Sequence, residues 1–167
     1  MKNGKVSIVL PHGFLFKKTK SEYNVRRMLI QKNYIEAIIG LPEKLFYDTK
    51  IPVIILLINK AKKRKGIMFI DASKEFVEGR KNNILTEENQ KKIIDTYFKY
   101  EGKPNYSYVA SAEEIKKNDY DLSIKKYIKS NSDTQEIDEG ELEKKVYDLE
   151  LEKQKIQDKI KNIINNI

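Results

Sequence analysis

Few side chains in this sequence can do acid–base or nucleophilic chemistry, and His12 stands out among them. It is the only histidine, and there is no cysteine. A disulfide framework and a thiolate metal site are therefore excluded, as is a multi-histidine zinc centre. His12 lies between Pro11 and Gly13, directly after Lys5 to Leu10, which reads as a short buried strand. Open α/β sheets commonly place their sites at strand ends. Pro11, His12 and Gly13 thus form a candidate active-site loop, in which an imidazole can move a proton or fix the loop. Lys17, Lys18 and Lys20 follow as candidate phosphate contacts. A second basic cluster, Lys60, Lys62, Lys63, Arg64 and Lys65, falls in a turn between apolar runs and reads as solvated loop charge.

The elements that must hold these residues are legible from periodicity. Ser21 is placed to cap a helix with Val25, Met28 and Leu29 on one face, ending near Asn33. Tyr34 to Leu41 reads as a second strand closed by Pro42, and residues 43–50 as a loop. Ile51 to Asn59, β-branched and apolar on both faces, has the pattern of an interior strand. Ile67 to Ile70 is a further strand, and Thr86 with Glu87 and Glu88 opens a helix through Tyr97 or Phe98. Ser111 and Glu114 mark a short helix ending near Asn118. The outcome is a mixed α/β sheet of three or four strands, which looks like the second half of a larger sheet. Residues 130–140 form a polar linker, and residues 141–167 read as one long helix.

Hydrophobic residues make up 40% of the 167 and charged residues 35%, with a net charge of +8. The charge is uneven, at +7 over residues 1–60, +5 over 61–130 and −4 over 131–167. A basic body suits a polyanionic partner, and the acidic tail suits something else. No signal peptide opens the chain, and the longest apolar run, Ile51 to Ile58, is too short to span a membrane. A soluble cytoplasmic protein is expected.

Four stretches in order resemble one family. Gly4-Lys-Val-Ser-Ile-Val-Leu-Pro-His-Gly-Phe-Leu-Phe16 resembles the segment that follows the catalytic motif of N6-adenine DNA methyltransferases, specifically the methylase subunits of type I restriction–modification systems. Ile35 to Pro52, running on through Lys60, resembles the next block, and Met68–Phe76 and Asn118–Ile124 resemble two more. The likeness spans residues 4 to about 128. It implies the C-terminal part of a Rossmann-like methyltransferase sheet over residues 1–129, followed by the linker and a helical tail for subunit association.

The resemblance further implies S-adenosylmethionine as methyl donor for the complete enzyme. It also implies DNA and a specificity subunit as partners, together with the N-terminal part of the methylase. The seven glycines include no Gly-x-Gly pair and the four prolines no adjacent pair. The cofactor turn and the catalytic Asn-Pro-Pro-Phe motif are thus expected outside this chain, and the chain alone is expected to be inactive and to bind no cofactor. In related adenine methyltransferases an aromatic before the long apolar strand stacks on the flipped target base. Phe46 occupies that place, with Tyr47 beside it and Thr49 and Lys50 as further candidate DNA contacts.

In the tail, Leu142, Val146, Leu149, Ile156, Ile160, Ile163 and Ile167 follow a heptad seam interrupted by Lys153. The resemblance assigns this seam to the specificity subunit, with self-association as runner-up. A different class of function also fits the residues. It is a non-enzymatic, basic nucleic-acid-binding or assembly module that oligomerises through the same helix.

Overall fold

The computed structural model describes residues 3–47 and 49–128. In chain order these form β1 (Lys5–Pro11), α1 (Gly13–Phe16), α2 (Lys20–Gln31), β2 (Ile35–Gly40), β3 (Val53–Asn59) and β4 (Ile67–Asp71). They continue with β5 (Val77–Glu78), β6 (Asn83–Ile84), α3 (Glu87–Lys99), β7 (Ser107–Ala110), α4 (Ala112–Lys117) and α5 (Ile124–Tyr127). The linker and the heptad seam lie outside the described residues.

Five strands make one mixed sheet in the order β1-β3-β2-β4-β7, and β5 and β6 form a separate small hairpin. Strand β3 runs antiparallel to both β1 and β2, β4 is parallel to β2, and β7 is antiparallel to β4. The mixed α/β class expected from the sequence is the one found. Its interior is the apolar, β-branched pair β2 and β3, where Ile35, Ile38, Ile54 and Leu56 are fully buried.

Alternation along the strands feeds two cores. On one face Ile38, Ile54, Leu56, Ile67 and Phe69 pack with Leu15, Leu29, Ile30, Ile115 and Ile124 from the shorter helices. On the other, Ala37, Ile39, Met68 and Ile70 pack with Ile93 of α3. Ile35 and Ile38 share a face despite their odd spacing because the β2–β3 register shifts between Ile35 and Ala37, a bulge at Glu36. The helix α3 begins at a capping box in which the Thr86 side chain and Asn89 satisfy each other's backbone N–H groups.

Two local expectations are corrected. Strand β1 is not buried: Val6 is 49% and Val9 53% exposed, because among the described residues little packs over its faces, and as an edge strand it is paired on one side only. In α2 the N-cap is Thr19, not Ser21, and the buried positions are Arg26, Leu29 and Ile30. Val25 and Met28 face outward, because Arg26 turns inward to donate to the carbonyls of Phe14 at 2.8 Å and Tyr120 at 3.3 Å. No helix among the described residues is long and apolar enough to cross a membrane.

Candidate target-base and DNA-side site

The registers bring four chain segments to one end of the sheet. Pro11 is opposite Val53, Gly40 is opposite Ile54, and Gly40 is also opposite Asp71. The turn after β1, the β2–β3 loop and the turn after β4 therefore converge. Between them opens a cleft of about 480 Å³, into which His12, Glu43, Asp71, Ser73, Ser123 and Lys125 contribute polar side chains. Its apolar wall is Leu15, Phe16, Leu41, Pro52 and Ile124. Gly40 lies beneath it, and a Cβ there would come within 2.7 Å of Ile124 Cδ1.

His12 sits at the start of α1, half-buried, and its Nε2 has no hydrogen-bond partner among the described residues. Burial lowers its pKa from the ordinary histidine value, against opposing pulls from the Asp71 carboxylate and the Val53 backbone. Pro11 ends β1 rather than breaking it, and Gly13 opens α1.

Phe46 and Tyr47 project from the β2–β3 loop, 45% and 86% exposed. The loop leaves the sheet at Leu41, whose N–H donates to the Val53 carbonyl, so its two ends are fastened together. Thr49 turns the chain back by accepting from the Ile51 N–H at 3.1 Å, and Lys50 is exposed. Phe46, Tyr47, Thr49 and Lys50 thus share one loop, and Glu43 and Pro52 of that loop line the cleft with His12.

Lys17, Lys18 and Lys20 are exposed around the α1–α2 junction and do not line the cleft. Lys18 pairs with Asp119 at 3.3 Å, between two largely exposed side chains. The cleft lysine is Lys125, which sequence reasoning did not single out, as it missed Asp71, Ser73 and Ser123. Asp71, Ser73 and Ser123 were within reach, since they fall inside the segments Met68–Phe76 and Asn118–Ile124. Among the described residues no cluster of histidine and carboxylate side chains could hold a metal ion.

The glycines give a test for a nucleotide-like cofactor, which needs backbone free of side chains at a turn after a strand. A Cβ at Gly13 would meet the Lys17 side chain at 2.9 Å, and one at Gly66 the Ala110 carbonyl at 2.8 Å. At the cleft end Gly40 is packed against Ile124 and Gly13 lies under the flexible Lys17 side chain, whereas Gly66 precedes β4 at the opposite end of the sheet.

The structure is thus an open-edged mixed α/β sheet with an exposed aromatic loop beside a polar cleft at one end. The family model described as N-6 DNA methylase matches residues 1–136. This chain belongs to the N-6 DNA methylase family, the one to which the four sequence blocks pointed. It is 40% identical, over 98% of its length, to the methylase subunit of the type I restriction enzyme MjaVII from Methanocaldococcus jannaschii. It is 33% identical, again over 98%, to the MpnII methylase subunit of Mycoplasma pneumoniae. Among solved structures, the type I restriction-modification methyltransferase subunit from Streptococcus thermophilus matches 75% of the chain with a TM-score of 0.72 and 39% identity. The chain spans 29% and 30% of the two curated relatives and 26% of the solved chain.

Proposed function

We propose that this chain is the target-base and DNA-side portion of the methylase subunit of a type I restriction–modification system, acting on DNA in the cytoplasm. The complete enzyme transfers a methyl group to N6 of adenine, with S-adenosylmethionine as the donor. The observation that carries this reading is the placement of Phe46, a large aromatic left exposed on a fastened loop beside a polar cleft. A flipped adenine needs a stacking face and polar groups at its edge, and Phe46 supplies the first. The side chains of His12, Asp71 and Lys125 offer the second.

The donor site and the groups that hold the amino nitrogen for attack belong to the rest of the methylase, in this or another polypeptide. The unpaired edge of β1 is the place for that part to continue the sheet, since Val6, Ile8 and Val9 are exposed there. Lys17, Lys20 and Lys50 are assigned to backbone phosphates. The heptad seam from Leu142 to Ile167 is assigned to the specificity subunit, because a helix of about 27 residues is roughly 40 Å long and presents an apolar stripe suited to another helix.

In the assembled enzyme, Phe46→Ala is expected to lower kcat by about ten- to a hundredfold, as loss of one base–aromatic stack would. Tyr47→Ala should cost less than about threefold. Equal effects of the two substitutions in a methylation assay would remove Phe46 from the proposed role.

A further inference from the structure

The hairpin of β5 and β6 carries no role in the reading above, yet it reaches the aromatic loop at three points. Asn82 Nδ2 donates to the Phe46 carbonyl at 2.8 Å, and Asn83 Nδ2 donates to the Glu43 carbonyl at 2.9 Å. The backbone N–H of Asn83 donates to the Lys44 carbonyl, also at 2.9 Å. Two adjacent residues thereby fasten three carbonyls of a loop that lies some forty positions earlier in the chain.

Both ends of this link are built for it. Lys44 has φ +56, a left-handed conformation that is costly for a residue with a side chain and persists only where its surroundings impose it. On the other side, a Cβ at Gly79 would lie 2.4 Å from the Asn82 carbonyl, so the hairpin turns this sharply only with glycine there. Val77 and Ile84 of the hairpin are each 54% exposed, so apolar burial is not what holds it in place. The Phe46 ring is 45% exposed, so packing fixes its direction only in part. Its aim is set by the backbone beneath it, and that backbone is held by amide donors.

Resting on the reading of Phe46 as the stacking face, we propose that Asn82 and Asn83 are positioning residues that hold the loop so that the Phe46 ring meets the flipped adenine. A preformed stacking face saves the ordering cost at the moment of base capture. The residues do not touch the base and act only through Phe46.

The test uses the full chain first. It contains no tryptophan, so Phe46→Trp introduces a single reporter on the loop. In that background Asn82→Asp with Asn83→Asp keeps the side-chain shape but replaces each donor by an acceptor. The amplitude of nanosecond motion in the anisotropy decay is expected to rise about twofold, with the thermal midpoint of the body unchanged. An unchanged decay overturns the clamp. The second arm uses the methylase assembled with its specificity subunit. There the double Asp variant is expected to lower kcat about fivefold with the KM for DNA within about twofold, and Asn→Gln at both positions to recover part of the loss. If the unsubstituted enzyme methylates and the Asp variant matches its kcat, the proposal falls. If the unsubstituted enzyme does not methylate adenine at all, it is the functional reading that fails, and the anisotropy arm still decides whether the hairpin holds the loop.

Discussion

Lys62 shows what a single residue can hide. Counted with its neighbours it is one more loop cation, yet its Nζ donates to the carbonyls of Ile35, at 2.6 Å, and of Gly66. Burial pushes its pKa from 10.5 to about 8, with Glu36 pulling the other way. The folded chain therefore releases this proton near pH 8, while the unfolded chain keeps it to about 10.5. The unfolded state binds more protons across that window, so stability rises with pH through it, and the full burial penalty is present below pH 8. Tyr100, held at about 12 by burial, works in the opposite direction from pH 10 upward. The thermal midpoint, relative to Lys62→Met, is expected to rise from pH 8 to 10. Parallel curves for the two proteins would show that the ammonium is not desolvated in the fold. Arg26 is the same lesson on α2, a fully buried guanidinium satisfied by two carbonyls. Neither residue type announces burial in a sequence, because both are ordinarily surface residues.

Elements were legible where periodicity is long and apolar. The β2 and β3 strands, β4, the helix α3 with its Thr86 cap and the short helix after Ser111 stand close to where their patterns put them. The hairpin of β5 and β6 was not, since two strands of two residues have no period to read. Nor was β7, whose Ser107–Ala110 carries a single β-branched residue. Strand β1 was found but given the wrong surroundings: its apolar run is the signature of a covered strand, and the described residues cover only one of its edges. That mismatch yields a prediction. Val6→Lys with Val9→Lys should leave the thermal midpoint of the chain within about 2 °C, as surface substitutions do. The same pair should abolish assembly with the rest of the methylase, because charged side chains blunt an edge against strand addition. A clearly destabilised chain, or undiminished assembly, would show that this edge is not the joint.

At the scale of the whole molecule, family and fold class followed from four blocks in order, whereas the site was legible only in part. Phe46 and the His12 loop could be named because they lie inside matched blocks. Lys125 and the Asn82–Asn83 clamp could not, because their roles arise from contacts between distant segments. The charge is basic through residue 130 and acidic beyond it, which is what the proposed DNA-facing body and protein-facing tail require. The proposed division of labour has the base held by this chain and the methyl donor held elsewhere in the enzyme. Its most direct test is transfer of labelled methyl groups from S-adenosylmethionine to adenine N6 in DNA, with calorimetry of the donor alongside. The chain should show neither donor binding nor transfer by itself, and transfer should appear only when the rest of the methylase and the specificity subunit are added. Micromolar donor binding by the isolated chain, or full transfer by the other components without it, would contradict the account.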